Sequence, residues 1–160
     1  PIPERMAEWT DPEPVSYKGR INGGERRTAK RTTDKVRLTD VLANTDDPIV
    51  LCEKEYPHFI MHPNEPWLEM CGYSAEEVEG RTNKILTGPD TDQGAIDSLL
   101  GCVRREEPSV QTLYNYKKGG IRFLNQVKTL PVYDENDELA AFMSMLQEID
   151  EDSLMDMALS

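Results

Sequence analysis

The chain has 160 residues and a formal charge of −12, from 30 acidic and 18 basic side chains. That length suits one domain with an arm or tail, and no apolar run approaches the ~18 residues that a membrane span needs. The acid excess argues against nucleic acid or an anionic membrane surface as the partner of the whole chain. Three widely spaced cysteines, Cys52, Cys71 and Cys102, do not read as a disulfide framework and suit a reducing compartment.

Residues 1–38 carry a charge of +3 and four prolines in the first 14 positions, whereas residues 39–160 carry −15. The chain starts on Pro1, which reads as a processed end after removal of a leader, or as a trimmed terminus. The basic first segment has almost no apolar periodicity, so it cannot bury enough surface to offset the ~1–2 kcal/mol per residue lost on ordering. It reads as a disordered leader, or as an extended arm lying on its own acidic domain or on another protein. Its cations Arg20, Arg26, Arg27, Lys30, Arg31 and Lys35 are the candidate partner contacts. An acidic protein surface suits them better than nucleic acid, because no aromatic residue is interleaved after Tyr17 and the following domain repels phosphate.

From residue 39 the pattern changes. The stretches 46–54 and 58–62 predict two short strands, and 64–73 a helical turn capped by Asn64, with Trp67, Leu68 and Met70 as apolar contacts. Ser74 and Glu77 form a capping-box pattern before a short helix that stops at Gly80. Ile96, Leu99, Leu100 and Val103 share one face of a longer helix within 91–107. Strands follow at 110–116 and 121–132, around the hairpin signal Lys117-Lys118-Gly119-Gly120, and at 139–149 after a turn at 134–137. The domain is therefore α+β: a five-stranded antiparallel sheet with short helices on one face, preceded by the extended arm 1–38 and followed by a tail at 151–160.

No catalytic constellation emerges. His58 and His62 are four apart in a strand-like stretch between prolines, which forms no helical metal face. Glu76/Glu77 and Glu106/Glu107 are sequence neighbours that point apart on solvated helices. No phosphate loop of P-loop spacing is present. The expectation is no enzyme, no metal and no catalytic residue.

The strings at 67–81, 80–93 and 114–126, in this order and spacing, resemble a PAS domain, and more closely its LOV (light, oxygen, voltage) branch. The resemblance covers about residues 44–149 and implies the PAS fold. LOV domains hold a flavin against the inner sheet face and answer blue light through a cysteine within a Gly-Arg-Asn-Cys-Arg string. Here that string is Gly80-Arg81-Thr82-Asn83-Lys84, so Asn83 stands at the cysteine position. The resemblance places the family's two phosphate-gripping arginines on Lys84 and Leu100. It places a glutamine on Thr87, the two asparagines that read the ring edge on Asn115 and Asn125, and the signalling glutamine of the last strand on Leu146. Gln147, one residue on, faces the other side of the sheet.

With the thiol, one phosphate fork and the signalling amide replaced, the reading favours a domain that has lost its light chemistry and holds no cofactor. A vacant site of ~300 Å³ would cost about 7 kcal/mol at ~24 cal/mol per Å³, comparable with the stability of a whole domain. The inner face is therefore expected to close into an apolar core from Leu113, Phe123, Val127, Phe142, Leu146, Ile85 and Leu100. The function expected on that basis is a non-catalytic docking or stabilising subunit of a larger protein complex, anchored by its arm. The specific expectation is a plastid photosynthetic complex such as a photosystem, on the stromal side, with the membrane touched only through a partner; the cytoplasm is the other reducing compartment. The alternative is a flavin- or ligand-binding sensor without cysteine adduct chemistry. There FMN would meet Asn83, Lys84, Asn115, Asn125 and Leu146.

Overall fold

The computed structural model describes residues 35–159. Arg20, Arg26, Arg27, Lys30 and Arg31 lie outside the described residues. The element order is β1 (Val36–Arg37), α1 (Leu38–Ala43), β2 (Ile49–Cys52), β3 (Ile60–Pro63), α2 (Glu65–Cys71), α3 (Ala75–Val78), a 3-10 turn (Asn83–Leu86), α4 (Gln93–Arg104), β4 (Ser109–Lys117), β5 (Ile121–Tyr133), β6 (Leu139–Ile149) and α5 (Glu151–Leu159).

Five strands form the antiparallel sheet in the order β3-β2-β6-β5-β4, and the two-residue β1 adds a parallel pairing at the end of β5. The sheet thus gains a short sixth strand from a segment too brief to show alternation. Long β5 is the spine. It pairs with β4 from Ile121 to Thr129 and with β6 from Leu124 to Tyr133. Gly119 and Gly120 turn the β4–β5 hairpin at φ values of 92° and 84°, which side chains disfavour.

Local caps set the helices. The Asn64 Oδ1 accepts from Trp67 N at 3.0 Å and from Ile49 N at 2.9 Å, while its Nδ2 donates to Asp47 O at 2.7 Å. One side chain therefore starts α2 and fastens it to β2. Gly72, at φ 84°, ends α2 in the left-handed conformation. Ser74 and Glu77 form the reciprocal capping box at α3. The Asp92 carboxylate accepts from Gly94 N at 2.9 Å at the start of α4.

The two sheet faces carry different cores. On the outer face Val41 of α1 packs with Ile49, Leu51, Val132, Ala141 and Met143. On the inner face Val50, Cys52 and Leu146 pack with Ile60, Trp67, Cys71, Val78 and Leu86. The segment after Glu151, which shows no apolar face in sequence, forms the helix α5.

Candidate functional site

Alternation along β5 sends Phe123, Asn125, Val127 and Thr129 inward, opposite Asn115, Leu113 and Gln111 of β4. On the other flank, Val127 faces Leu146 and Thr129 faces Ser144 of β6. All of these inward side chains except Phe123 and Gln111, together with the 3-10 turn and the aliphatic face of α4, surround a cavity of about 220 Å³. Its lining includes Asn83, Lys84, Leu100, Asn115, Asn125 and Leu146, so the fold brings the separated sequence candidates together. Thr82 and Thr87 line it too.

Asn125 is fully buried. Its Nδ2 donates to Asn115 Oδ1 at 2.9 Å, and its Oδ1 accepts from Gln147 N at 3.1 Å. Asn115 in turn donates to Leu86 O at 3.1 Å. The amides thus join the 3-10 turn, β4, β5 and the backbone of β6, and each keeps further hydrogen-bonding capacity. Deeper in, Thr129 and Ser144 share a hydroxyl bond of 2.9 Å between buried residues.

Asn83 opens the 3-10 turn, whose entry is capped by Thr82 Oγ1 accepting from Lys84 N at 3.2 Å. The Asn83 Nδ2 donates to Cys52 Sγ at 3.4 Å, and its Oδ1 is buried without a partner. An orphaned buried acceptor in a cavity wall is a mark of a site built for a further donor. Cys52 escapes motif reading because it comes from β2, remote in sequence, yet its thiol lies against Asn83. Burial chiefly, opposed by the Asn83 hydrogen bond, pushes the Cys52 thiol up to about 12. Leu146 is buried in the wall, while Gln147 is exposed on the opposite face, across from Gln126. Of the partner contacts expected in the arm, Lys35 is described, with its Nζ 4.8 Å from the centre of the Tyr133 ring.

The inner face does not close. Leu113, Val127, Phe142, Leu146 and Leu100 line the cavity, but Ile85 packs against the Trp67 cluster and Phe123 lies under Lys117 Nζ at 5.2 Å. The reason is chemical. Asn115, Asn125, Thr129 and Ser144 occupy inward positions, and an aliphatic plug would strand their remaining polar capacity at about 1–3 kcal/mol per group.

The family model described as a PAS domain matches residues 46–151. The chain belongs to the PAS domain family. Among similar proteins, phototropin-2 of rice (Oryza sativa subsp. japonica) is 30% identical over 137 residues, spanning 84% of this chain and 15% of phototropin-2. Blue-light-activated histidine kinase 1 of Erythrobacter litoralis is 32% identical over 111 residues, covering 69% of this chain and 29% of the kinase. A solved LOV domain whose mechanism was studied with a flavin analogue superposes with a TM-score of 0.66 at 24% identity, over 76% of this PAS chain and 90% of that one. The chain spans less than a third of the length of these curated relatives.

This PAS domain therefore has LOV domains among its relatives and structural neighbours, a family of sensory modules. That overturns the expectation of a domain with no cofactor and a sealed core: one relative is a blue-light-activated histidine kinase, a structural neighbour of the same fold was studied with a flavin analogue, and the inner face of this chain holds an open cavity. None of these relatives is named as part of a photosynthetic complex, and the photosystem reading has no support in them. Among the described residues, no helix is long and apolar enough to cross a membrane.

Proposed function

We propose that this PAS domain is a sensory module that holds a flavin in the inner-face cavity and passes its state to β6 and α5. The observation that carries this reading is the cavity itself, walled on one side by the coupled amides Asn115 and Asn125 and on the other by the aliphatic face of α4. A volume near 220 Å³ exceeds the ~150 Å³ that accommodates benzene in an engineered core, and suits the flat part of a larger ring system. Asn115 and Asn125 would read the polar edge of that ring, and the orphaned Asn83 Oδ1 would accept from a donor on it. A bound flavin supplies absorption of blue light and reversible uptake of electrons and protons.

Asn83 carries an amide where a LOV thiol stands, so its contribution is a hydrogen bond rather than a covalent one. Asn125 is the outlet, because its Oδ1 is bonded to Gln147 N on β6. Strand β6 runs directly into α5, which is tied back to the sheet by Tyr114 Oη donating to Glu151 Oε1 at 2.9 Å. The basic segment around Arg26–Arg31, outside the described residues, stays a proposed docking element for an acidic partner surface.

The test is reconstitution of the full chain with excess flavin, then gel filtration and an absorbance spectrum. The expected result is a yellow protein whose flavin fluorescence is altered, with Asn125→Ala binding markedly less. A protein that emerges colourless, with no flavin co-eluting, overturns the reading.

A further inference from the structure

Building on the flavin reading, we infer that the cavity selects a flavin with an uncharged tail, riboflavin in preference to its 5′-phosphate FMN. A phosphate near two charges at neutral pH is held where planar cationic forks or a free helix N-terminus meet it. Neither is offered among the described residues that line the cavity. Lys84 is the one formal cation among the described residues that line the cavity, and it is exposed. A point charge in water adds little, in the range of ~0–1 kcal/mol for an exposed ion pair.

The wall formed by α4 presents Ile96, Leu99, Leu100 and Val103 to the cavity. An anion laid against this wall would lose hydration without gaining a donor. The N-terminus of α4 is already occupied by a carboxylate, since Asp92 accepts from Gly94 N at 2.9 Å. At the first residue of α4, the Gln93 amide that lines the cavity donates to Oδ1 of Asp97, one turn on, at 2.8 Å. The polar groups of this end are thus already bonded to carboxylates, which repel a phosphate. They suit a polyol. Thr82 and Thr87 line the same stretch, and beside their local bonds, Thr82 Oγ1 accepting from Lys84 N and Thr87 Oγ1 donating to Lys84 O, their hydroxyls keep capacity for a hydroxyl partner with no charge to neutralise.

The experiment titrates the full chain with riboflavin and with FMN, following flavin fluorescence at low and at moderate salt. Riboflavin is expected to bind about tenfold or more tightly than FMN, equivalent to ~1.4 kcal/mol. The FMN deficit should shrink as salt screens the acids. FMN binding tighter than riboflavin in the unaltered chain overturns the inference while leaving the flavin reading intact. Binding of neither overturns both. In Leu100→Arg, whose side chain can reach water from a half-buried site, the affinity ratio should tip toward FMN by about tenfold. A folded L100R chain with an unchanged ratio refutes the assignment of selectivity to the α4 wall. The wild-type ratio decides the matter without any variant.

Discussion

The two faces of the sheet are lined by residues of the same strands and end in opposite conditions. Outside, Ile49, Leu51, Val132, Ala141 and Met143 meet α1 in a dry aliphatic layer. Inside, the same strands turn Asn125, Thr129 and Ser144 toward α4 and leave space. A strand has period two, so one stretch such as β5 writes two independent surfaces. The outer one is written for stability. The inner one gives up packing around a cavity, and the Trp67 cluster beside it compensates.

That contrast can be broken most severely at Trp67, which has no exposed surface. Trp67→Ala should lower unfolding free energy by about 3–5 kcal/mol, read by urea denaturation, and added flavin should restore only part of the loss. Asn125→Ala strips partners from Asn115 and from Gln147 N, and should cost about 1–3 kcal/mol. Unlike Trp67→Ala, it should also weaken flavin binding in the same titration. Equal binding by both variants would erase the functional distinction between cluster and cavity. Gly88 lines the cavity where an added methyl would overlap the Tyr116 ring. Gly88→Ala should therefore cost about 1–3 kcal/mol by overpacking and shift the loop that bears Thr91.

The two faces also differ in their response to pH. Burial pushes the inner-face thiols Cys52 and Cys71 from 9.0 up to about 12. Above pH 9 the unfolded chain releases these protons before the native one does. It then binds fewer protons than the native state, so stability falls as pH rises toward 12, by up to ~1.4 kcal/mol per unit for each thiol. Denaturation between neutral pH and about pH 11 should show that slope, and Cys52→Ser combined with Cys71→Ser should flatten it. The least disruptive change is Tyr114→Phe, which removes the tie to Glu151. Global stability should stay unchanged within error, while amides of α5 exchange sooner. Unaltered exchange there would show that the tether does not hold the helix.

Much of the fold is legible locally. Asn64 and Ser74–Glu77 announce their helices because a cap is settled within three or four residues. The hairpin glycines 119 and 120 and the inward alternation from Asn115 and Asn125 are equally readable. The cavity was not. Leu113, Val127, Phe142 and Leu146 all face inward as the pattern predicts, yet inward is not the same as filling. The proximity of Cys52 to Asn83 was hidden as well, since it joins β2 to a turn 31 residues later.

The amino-acid order alone determined the α+β architecture, the PAS resemblance, the caps and the identity of the amides on the inner face. These follow from short-range periodicity and hydrogen bonding along the chain. Only the tertiary structure decided that the inner face stays open, that a thiol from β2 meets Asn83, and that the aliphatic face of α4 walls a cavity instead of filling it. Those outcomes depend on the spacing between α4 and the sheet and on the summed volumes of side chains from many elements, quantities that no single stretch of sequence contains.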